Sequence, residues 1–315
     1  MAELGLSRWT HPAVILVASD LSDLDRLMPH AFAQAVQTGA RLLVLHVVAS
    51  SEAMAIDAVG MPYYDPGSAV EFAAKSLETW CDLASRRGIT CDAIVREGHA
   101  AQQVLAAARQ FHADRILLGT RSRGKMSKLF LGSVAEQVLR SVNLPVMTVG
   151  PEAHLPVATT NPDRVVLHAT TLREASRPSA ALACQIASTL SARLILLHVL
   201  PSMEDMTRKG SPSGLEATAL AELQSIADET RRGSTVTIDA FVLHGNPAIE
   251  ILSEASDHQA CLIVLAARQR STLENLTRDR TIYKVLAHAR CPVLTLREPQ
   301  IVADDALVAH LATQA

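Results

Sequence analysis

The second half of this 315-residue chain is a rewritten copy of the first. Gly98 to Val149 overlies Gly245 to Leu296 at a constant offset of 147, without a gap. Ile116-Leu117-Leu118 falls on Ile263-Val264-Leu265, Arg121 and Arg123 on Arg268 and Arg270, and Val138-Leu139 on Val285-Leu286. Pro145-Val146-Met147-Thr148-Val149 falls on Pro292-Val293-Leu294-Thr295-Leu296. Upstream, Arg41-Leu42-Leu43-Val44-Leu45-His46-Val47 resembles Arg193-Leu194-Ile195-Leu196-Leu197-His198-Val199 at an offset of 152, so a loop differs in length. Two copies, each of domain size, exclude a long solenoid. The expected division is a domain over 1–150, a linker over 151–162 carrying Pro151, Pro156 and Pro162, a second domain over 163–299, and a tail over 300–315.

Each copy alternates strand and helix patterns. In the first, Val14 to Ala18, Arg41 to Val48, Ile89 to Glu97, Arg115 to Leu118 and Val146 to Val149 read as strands, the first, second and fourth being nearly continuous apolar runs. Helices are predicted over Asp23 to Gln37, with Gly39 as its stop, and over Ala69 to Arg87, Ala101 to Phe111 and Val134 to Ser141. Strands separated by helices imply a parallel sheet with right-handed crossovers. Nearly continuous apolar strands imply helices on both faces. The fold class is therefore α/β: two tandem doubly wound, flavodoxin-like five-stranded parallel sheets. Ligands of such sheets bind beyond the carboxyl ends of the strands where the order reverses. That directs attention to Ser19-Asp20 after strand one and Gly119-Thr120 after strand four.

Composition closes several alternatives. The 29 basic and 32 acidic residues exclude a broadly basic nucleic-acid binder. Aromatic residues are 3%, too few for base-stacking platforms. No apolar run approaches the ~18 residues that span a bilayer, and Met1 to Thr10 has no signal-peptide core. The five cysteines, Cys81, Cys91, Cys184, Cys261 and Cys291, contain no C-x-x-C spacing. They read as buried free thiols, and a cytoplasmic location is expected. His46 and His198, inside apolar strands, read as packed core histidines. No Walker lysine, metal-binding carboxylate pair or nucleophile–base constellation is evident.

The stretch after strand four, Gly119-Thr120-Arg121-Ser122-Arg123-Gly124-Lys125-Met126-Ser127-Lys128-Leu129-Phe130-Leu131-Gly132-Ser133, holds four basic residues and no acid. Gly119 is expected to let the backbone leave the strand with unusual dihedrals. Gly132 is expected to let a ligand approach the main chain. Ser133 and Glu136 have the spacing of a capping box. Free N–H groups at a helix start attract anions such as phosphate. Arg121, Arg123, Lys125 and Lys128 add long-range attraction or form a solvated face.

This pattern resembles the universal stress protein family, whose nucleotide-binding members carry G-x2-G-x9-G-[S/T] after strand four. Gly119 matches the first glycine and Gly132-Ser133 the end; Ser122 stands at the second glycine. The resemblance spans both halves, as in tandem members. It implies ATP, or ADP or AMP, with Mg2+ as a companion ion. It places Ala18, Ser19 and Asp20 near adenine and ribose and Val47 at backbone contacts to adenine. Leu118 and Gly119 then stand beside the ribose and first phosphate, and Ser122, Arg123, Gly132, Ser133 and Val134 along the phosphate path. For Asp20 the bland reading is a turn organiser before helix one. The family also pairs terminal strands across dimers. Here that pairing is expected within one chain, as a pseudo-two-fold pair, with a homodimer of the tandem also open.

The second copy departs at the same loop. Gly119 becomes Ala266, Ser122 becomes Gln269, Gly124 becomes Ser271, and Gly132-Ser133 become Asp279-Arg280; Asp20 becomes Thr171. A carboxylate at the helix start caps the N–H groups and repels phosphate. The second half is thus expected not to bind nucleotide in the family's way; Arg268, Arg270 and Arg280 are expected either to pair with Glu274 and Asp279 at the surface or to hold some other anion. The leading function is a stress-response regulatory factor with an unidentified protein partner and nucleotide in its first half. The alternatives are a nucleotide-independent interaction module and a weak ATPase.

Overall fold

The computed structural model describes residues 8–49, 66–120, 131–156, 163–172, 176–202, 214–267 and 280–297. The chain divides into two compact units, His11–Pro151 and Glu152–Ala315 together with Met1–Thr10.

In the first unit the order is β1 (Val14–Ser19), α1 (Leu24–Thr38), β2 (Arg41–Val48), α2 (Pro66–Ser85), β3 (Cys91–Glu97), α3 (Ala100–Gln110), β4 (Arg115–Gly119), α4 (Ser133–Ser141) and β5 (Val146–Val149). The strands lie in the order β3-β2-β1-β4-β5, and every pairing is parallel. The chain winds one way from β1 to β2 and β3 and returns on the other side of β1 with β4. This is the doubly wound order expected from the sequence. The second unit repeats it with β6 (Val165–Ala169), α5 (Ser176–Thr189), β7 (Arg193–Leu200), α6 (Leu215–Arg231), β8 (Ile238–His244), α7 (Pro247–Asp257), β9 (Leu262–Ala267), α8 (Arg280–His288) and β10 (Val293–Arg297). Its order is β10-β9-β6-β7-β8, again all parallel.

Burial follows from the topology. Ile15, Leu16 and Val17 of β1 and Ile116 and Leu117 of β4 are fully buried, because helices cover both faces of central strands. The edge strands β3 and β8 are mostly half-buried. Leu24, Leu27, Met28, Ala31 and Ala35 recur at helical spacing along the buried side of α1. Gly39 ends that helix in the left-handed region (φ 73°), its N–H donating to Ala35 O at 2.8 Å. The equivalent Ser191 reaches the same region at φ 50°.

Two expectations shift at their edges. α2 begins at Pro66 rather than Ala69 and ends at Ser85, and β3 begins at Cys91 rather than Ile89. The turn between them takes residues 86–90: Gly88 adopts φ 72°, and Ile89 N–H donates back to Ala84 O at 3.0 Å. The cysteines are free, but they are not all isolated buried thiols. Cys81 and Cys91 are half-buried, and their sulfurs touch at 2.7 Å.

Candidate functional site

At the carboxyl ends of β1 and β4 the first unit holds a cavity of about 120 Å³. Ala18, Leu45, Val47, Val104, Leu118 and Val134 give it apolar walls. Ser19, Asp20, Asp23 and His46 are its polar groups, and Gly119 and Gly132 its open corner. The sheet register brings these together, with Ser19 beside His46 and Ala18 beside Leu118.

Hydrogen bonds fix the mouth. His46 Nδ1 bonds Ser19 O at 2.9 Å. That selects the tautomer with the proton on Nδ1. The Ser19 hydroxyl accepts from Leu21 N at 3.0 Å and donates to Asp23 Oδ1 at 2.5 Å. Leu21 turns the chain at φ 72°. Asp20 Oδ1 accepts from Ser22 N at 2.9 Å and from the Ser22 hydroxyl. Asp20 thus organises the turn before α1 and also lines the cavity.

Asp23 is the residue the sequence reading missed. It stands before α1 but makes no side-chain cap bond. Its carboxylate takes the Ser19 hydroxyl and lies 3.6 Å from Arg26 Nη2. Burial holds its pKa above the ordinary carboxylate value, and nearby Asp20 adds to that. The Ser19 hydroxyl and Arg26 oppose the shift. The fold thus creates a carboxylate pair, Asp20 and Asp23, that was not evident in the sequence. Its signal was the i, i+3 spacing after strand one.

Gly119 corrects a second expectation. Its φ is not positive, so unusual dihedrals are not what demands glycine. Space demands it, because an added Cβ would stand 2.1 Å from Asp23 Oδ2. Ser133 corrects a third. α4 starts at Ser133, so the N-cap is Gly132, and no side chain caps the helix. Ser133 is exposed in its first turn. Gly132 N–H donates to Thr120 O at 2.8 Å, pinning the two ends of the intervening loop together. The first N–H groups of a helix have no intrahelical partner. Here they open beside Gly132, Val134 and Ala135 on the cavity. Ser122 and Arg123, with Arg121, Gly124, Lys125 and Lys128, lie outside the described residues. So do Arg268, Gln269, Arg270, Ser271, Glu274, Asp279 and the 300–315 tail.

A second, larger groove of about 410 Å³ lies between α5 and the end of α6, lined by Arg177, Cys184, Gln185, Ser188, Glu229 and Arg232 among others. It is remote from any strand's carboxyl end. At the position of Cys184 the first unit has Phe32, packed against Trp80 with ring centroids 6.2 Å apart. Cys184 thus lines the groove where the first unit carries a bulkier aromatic side chain. Among the described residues no group of three or more His, Cys, Asp or Glu is arranged to hold a metal.

A doubly wound parallel unit with an uncapped helix start beside its switch point is an α/β domain of the kind that takes ligands at the carboxyl ends of its strands. Comparison with known proteins gives the family. The profile of the universal stress protein family matches residues 13–150 and again 164–297, and the chain belongs to that family as a tandem. A universal stress protein of Thermus aquaticus, named for its place in the QAH/OAS sulfhydrylase 3'region, is 34% identical over 137 residues, 43% of this chain and 96% of that protein. The universal stress protein E homolog of Haemophilus influenzae is 27% identical over 152 residues, 45% of this chain and 49% of that protein. A universal stress protein structure from Archaeoglobus fulgidus superposes with a TM-score of 0.66 at 20% identity, covering 91% of this chain and 98% of that one. Among the described residues no helix is long and apolar enough to cross a membrane.

Proposed function

We propose that the first half binds an adenine nucleotide, ATP or its di- or monophosphate. Occupancy then sets how this cytoplasmic tandem protein acts on a protein partner in a stress response. The apolar walls around Val47, Val104 and Leu118 suit adenine. Asp20 suits a ribose hydroxyl, since a carboxylate accepts strong hydrogen bonds. The observation that carries the reading is the uncapped start of α4, opening at Gly132 onto the same cavity. Ser122, Arg123 and Ser133 would extend the phosphate path. Mg2+ is commonly held by one or two carboxylates together with phosphate oxygens, and Asp20 with Asp23 supplies such a pair. In the second half Thr171 and Ala266 replace Asp20 and Gly119, and no nucleotide is expected there.

The test is mass spectrometry of small molecules released on denaturing freshly purified protein. About one adenine nucleotide per chain is expected. Gly132→Asp is expected to weaken binding by more than ~100-fold, because like charges ~4 Å apart repel by about 4 kcal/mol at an effective dielectric of 20. Aspartate is also a favourable N-cap, so the variant should fold at least as well as the parent. Two nucleotides per chain would overturn the assignment to one half. No release and no titratable ATP binding would overturn the nucleotide reading.

A further inference from the structure

Cys81 and Cys91 are ten residues apart and match no cysteine motif, yet the fold puts their sulfurs 2.7 Å from each other. A disulfide bond is ~2.05 Å long, so little movement separates the pair from bonding. Backbone bonds on both sides hold this approach. Arg87 N–H donates to Ala84 O and Gly88 N–H to Ser85 O, at 2.8 and 2.9 Å, closing the end of α2. Leu42 N–H donates to Thr90 O at 2.8 Å, seating the start of β3. Both thiols are half-buried, so a small oxidant has access. Where the first unit has Cys91 at the start of its edge strand, the second has Ile238, buried and apolar.

We propose that Cys81 and Cys91 form a reversible redox site whose oxidant is a peroxide. The Cys81 thiolate attacks a peroxide oxygen; the S–O bond forms, the O–O bond breaks, and the leaving oxygen departs as water or alcohol after taking a proton. The Cys91 sulfur, losing its proton, then attacks Cys81 and displaces the hydroxyl as water. Two thiols give two electrons to one peroxide and become one disulfide tying α2 to the edge strand β3. An external thiol reverses it by exchange.

The environment distinguishes the two roles. The hydrogen bond between the thiols holds Cys81 below an ordinary thiol pKa, against burial and the carboxylates of Asp92, Asp82 and Glu78. The same hydrogen bond, with burial, pushes Cys91 up. We accordingly give Cys81 the attacking role, which the two single-cysteine variants test. Burial pushes Cys261 up and Cys291 up to about 12, which keeps both protonated.

The experiment treats the folded full chain with a small excess of hydrogen peroxide, alkylates the remaining thiols and maps tryptic peptides without reduction. Cleavage at Arg86 and Arg87 separates the cysteines, so the disulfide must join Ser76–Arg86 to Gly88–Arg96. The expected result is that joined pair, short by two hydrogens, with loss of two of the five thiols and recovery after dithiothreitol. Cys91→Ser should stop at a Cys81 sulfenic acid trapped by a 1,3-dione, and Cys81→Ala should leave Cys91 reduced. Five thiols surviving a dose that oxidises free glutathione would overturn the proposal. So would a disulfide between any other cysteines, or overoxidised Cys81 without the joined peptide.

Discussion

The end of β1 and the end of β6 are built on one plan and carry different chemistry. In both, a histidine of the neighbouring strand bonds the carbonyl at the strand's end: His46 to Ser19 at 2.9 Å, His198 to Thr170 at 2.8 Å. In both, that residue's hydroxyl accepts from a leucine N–H two positions on, and the leucine is left-handed, Leu21 at φ 72° and Leu172 at φ 53°. Beyond this frame the halves part. The first places Asp20 and Asp23 against Gly119. The second has Thr171 for Asp20 and Ala266 for Gly119, with Glu174 aligned to Asp23 in the sequence, and a buried His168 where β1 has Val17. The bonds that shape the turn need only a backbone, a hydroxyl and an imidazole. The features suited to nucleotide need charge and free space, and those can be lost without losing the turn.

Gly132→Asp makes the sharpest break, since it carries the second half's helix start into the first and should abolish binding while leaving the fold. Next comes acid stability, where the second half should be the weaker. His168 is fully buried, with Nδ1 3.0 Å from Val264 O and Nε2 3.1 Å from the Ser179 hydroxyl. Burial lowers its pKa to about 4 from 6.5. Between those values the unfolded chain binds a proton the folded chain refuses. Stability therefore rises with pH across that window and is lost as pH falls through it. The loss is about 3 kcal/mol once pH 4 is reached. Urea unfolding of the wild type and His168→Val from neutral pH down to 4 isolates this term. The gap between their curves should move by that amount, and parallel curves would remove His168 from the account.

The third effect concerns space rather than charge. Gly119→Ala puts the second half's methyl 2.1 Å from a carboxylate oxygen of Asp23, which is 5% exposed. The carboxylate must swing away from Ser19, at a cost of about 1–3 kcal/mol. In an Asp23→Ala background the same substitution should cost almost nothing, and additivity in that cycle would refute the collision.

Much of this was legible in the sequence because repetition and apolar runs report the sheet directly. The runs at Val14, Arg41 and Arg115 located strands to within a residue or two, since strands buried on both faces cannot hide. Gly39 located a helix end, since glycine reaches the left-handed region without strain. The site was legible only as a neighbourhood. Ser19, Asp20, Gly119 and Gly132 do meet at one cavity, but the reasons were in part wrong. Gly119 is demanded by Asp23, and Asp23 enters only because the turn at Leu21 folds α1's first residues back over β4. Ser133 does not cap α4, because the helix begins one residue earlier than a capping box requires. Cys81 and Cys91 were invisible as a pair because a helix end and a strand start brought them together, with no fixed spacing to announce it.

The smallest expected difference lies at helices α3 and α7, which occupy the same place in each half. Asn246 caps α7, its side-chain oxygen accepting from Ala248 N at 3.1 Å, and Pro247 follows in the first helical position. His99, its counterpart before α3, makes no side-chain cap bond. An Asn cap satisfies one of the orphan N–H groups, so Asn246→Ala should cost about 1 kcal/mol. His99→Ala should stay within about 0.5 kcal/mol, as for a surface change that removes no cap. Hydrogen exchange in the first turns of α3 and α7 resolves the two helices within one chain. Faster exchange at Ala248 to Glu250 in the first variant, with little change at Ala101 to Gln103 in the second, is the expected pattern. Equal effects would mean His99 also satisfies its helix start, and that both repeats keep a working cap at this position.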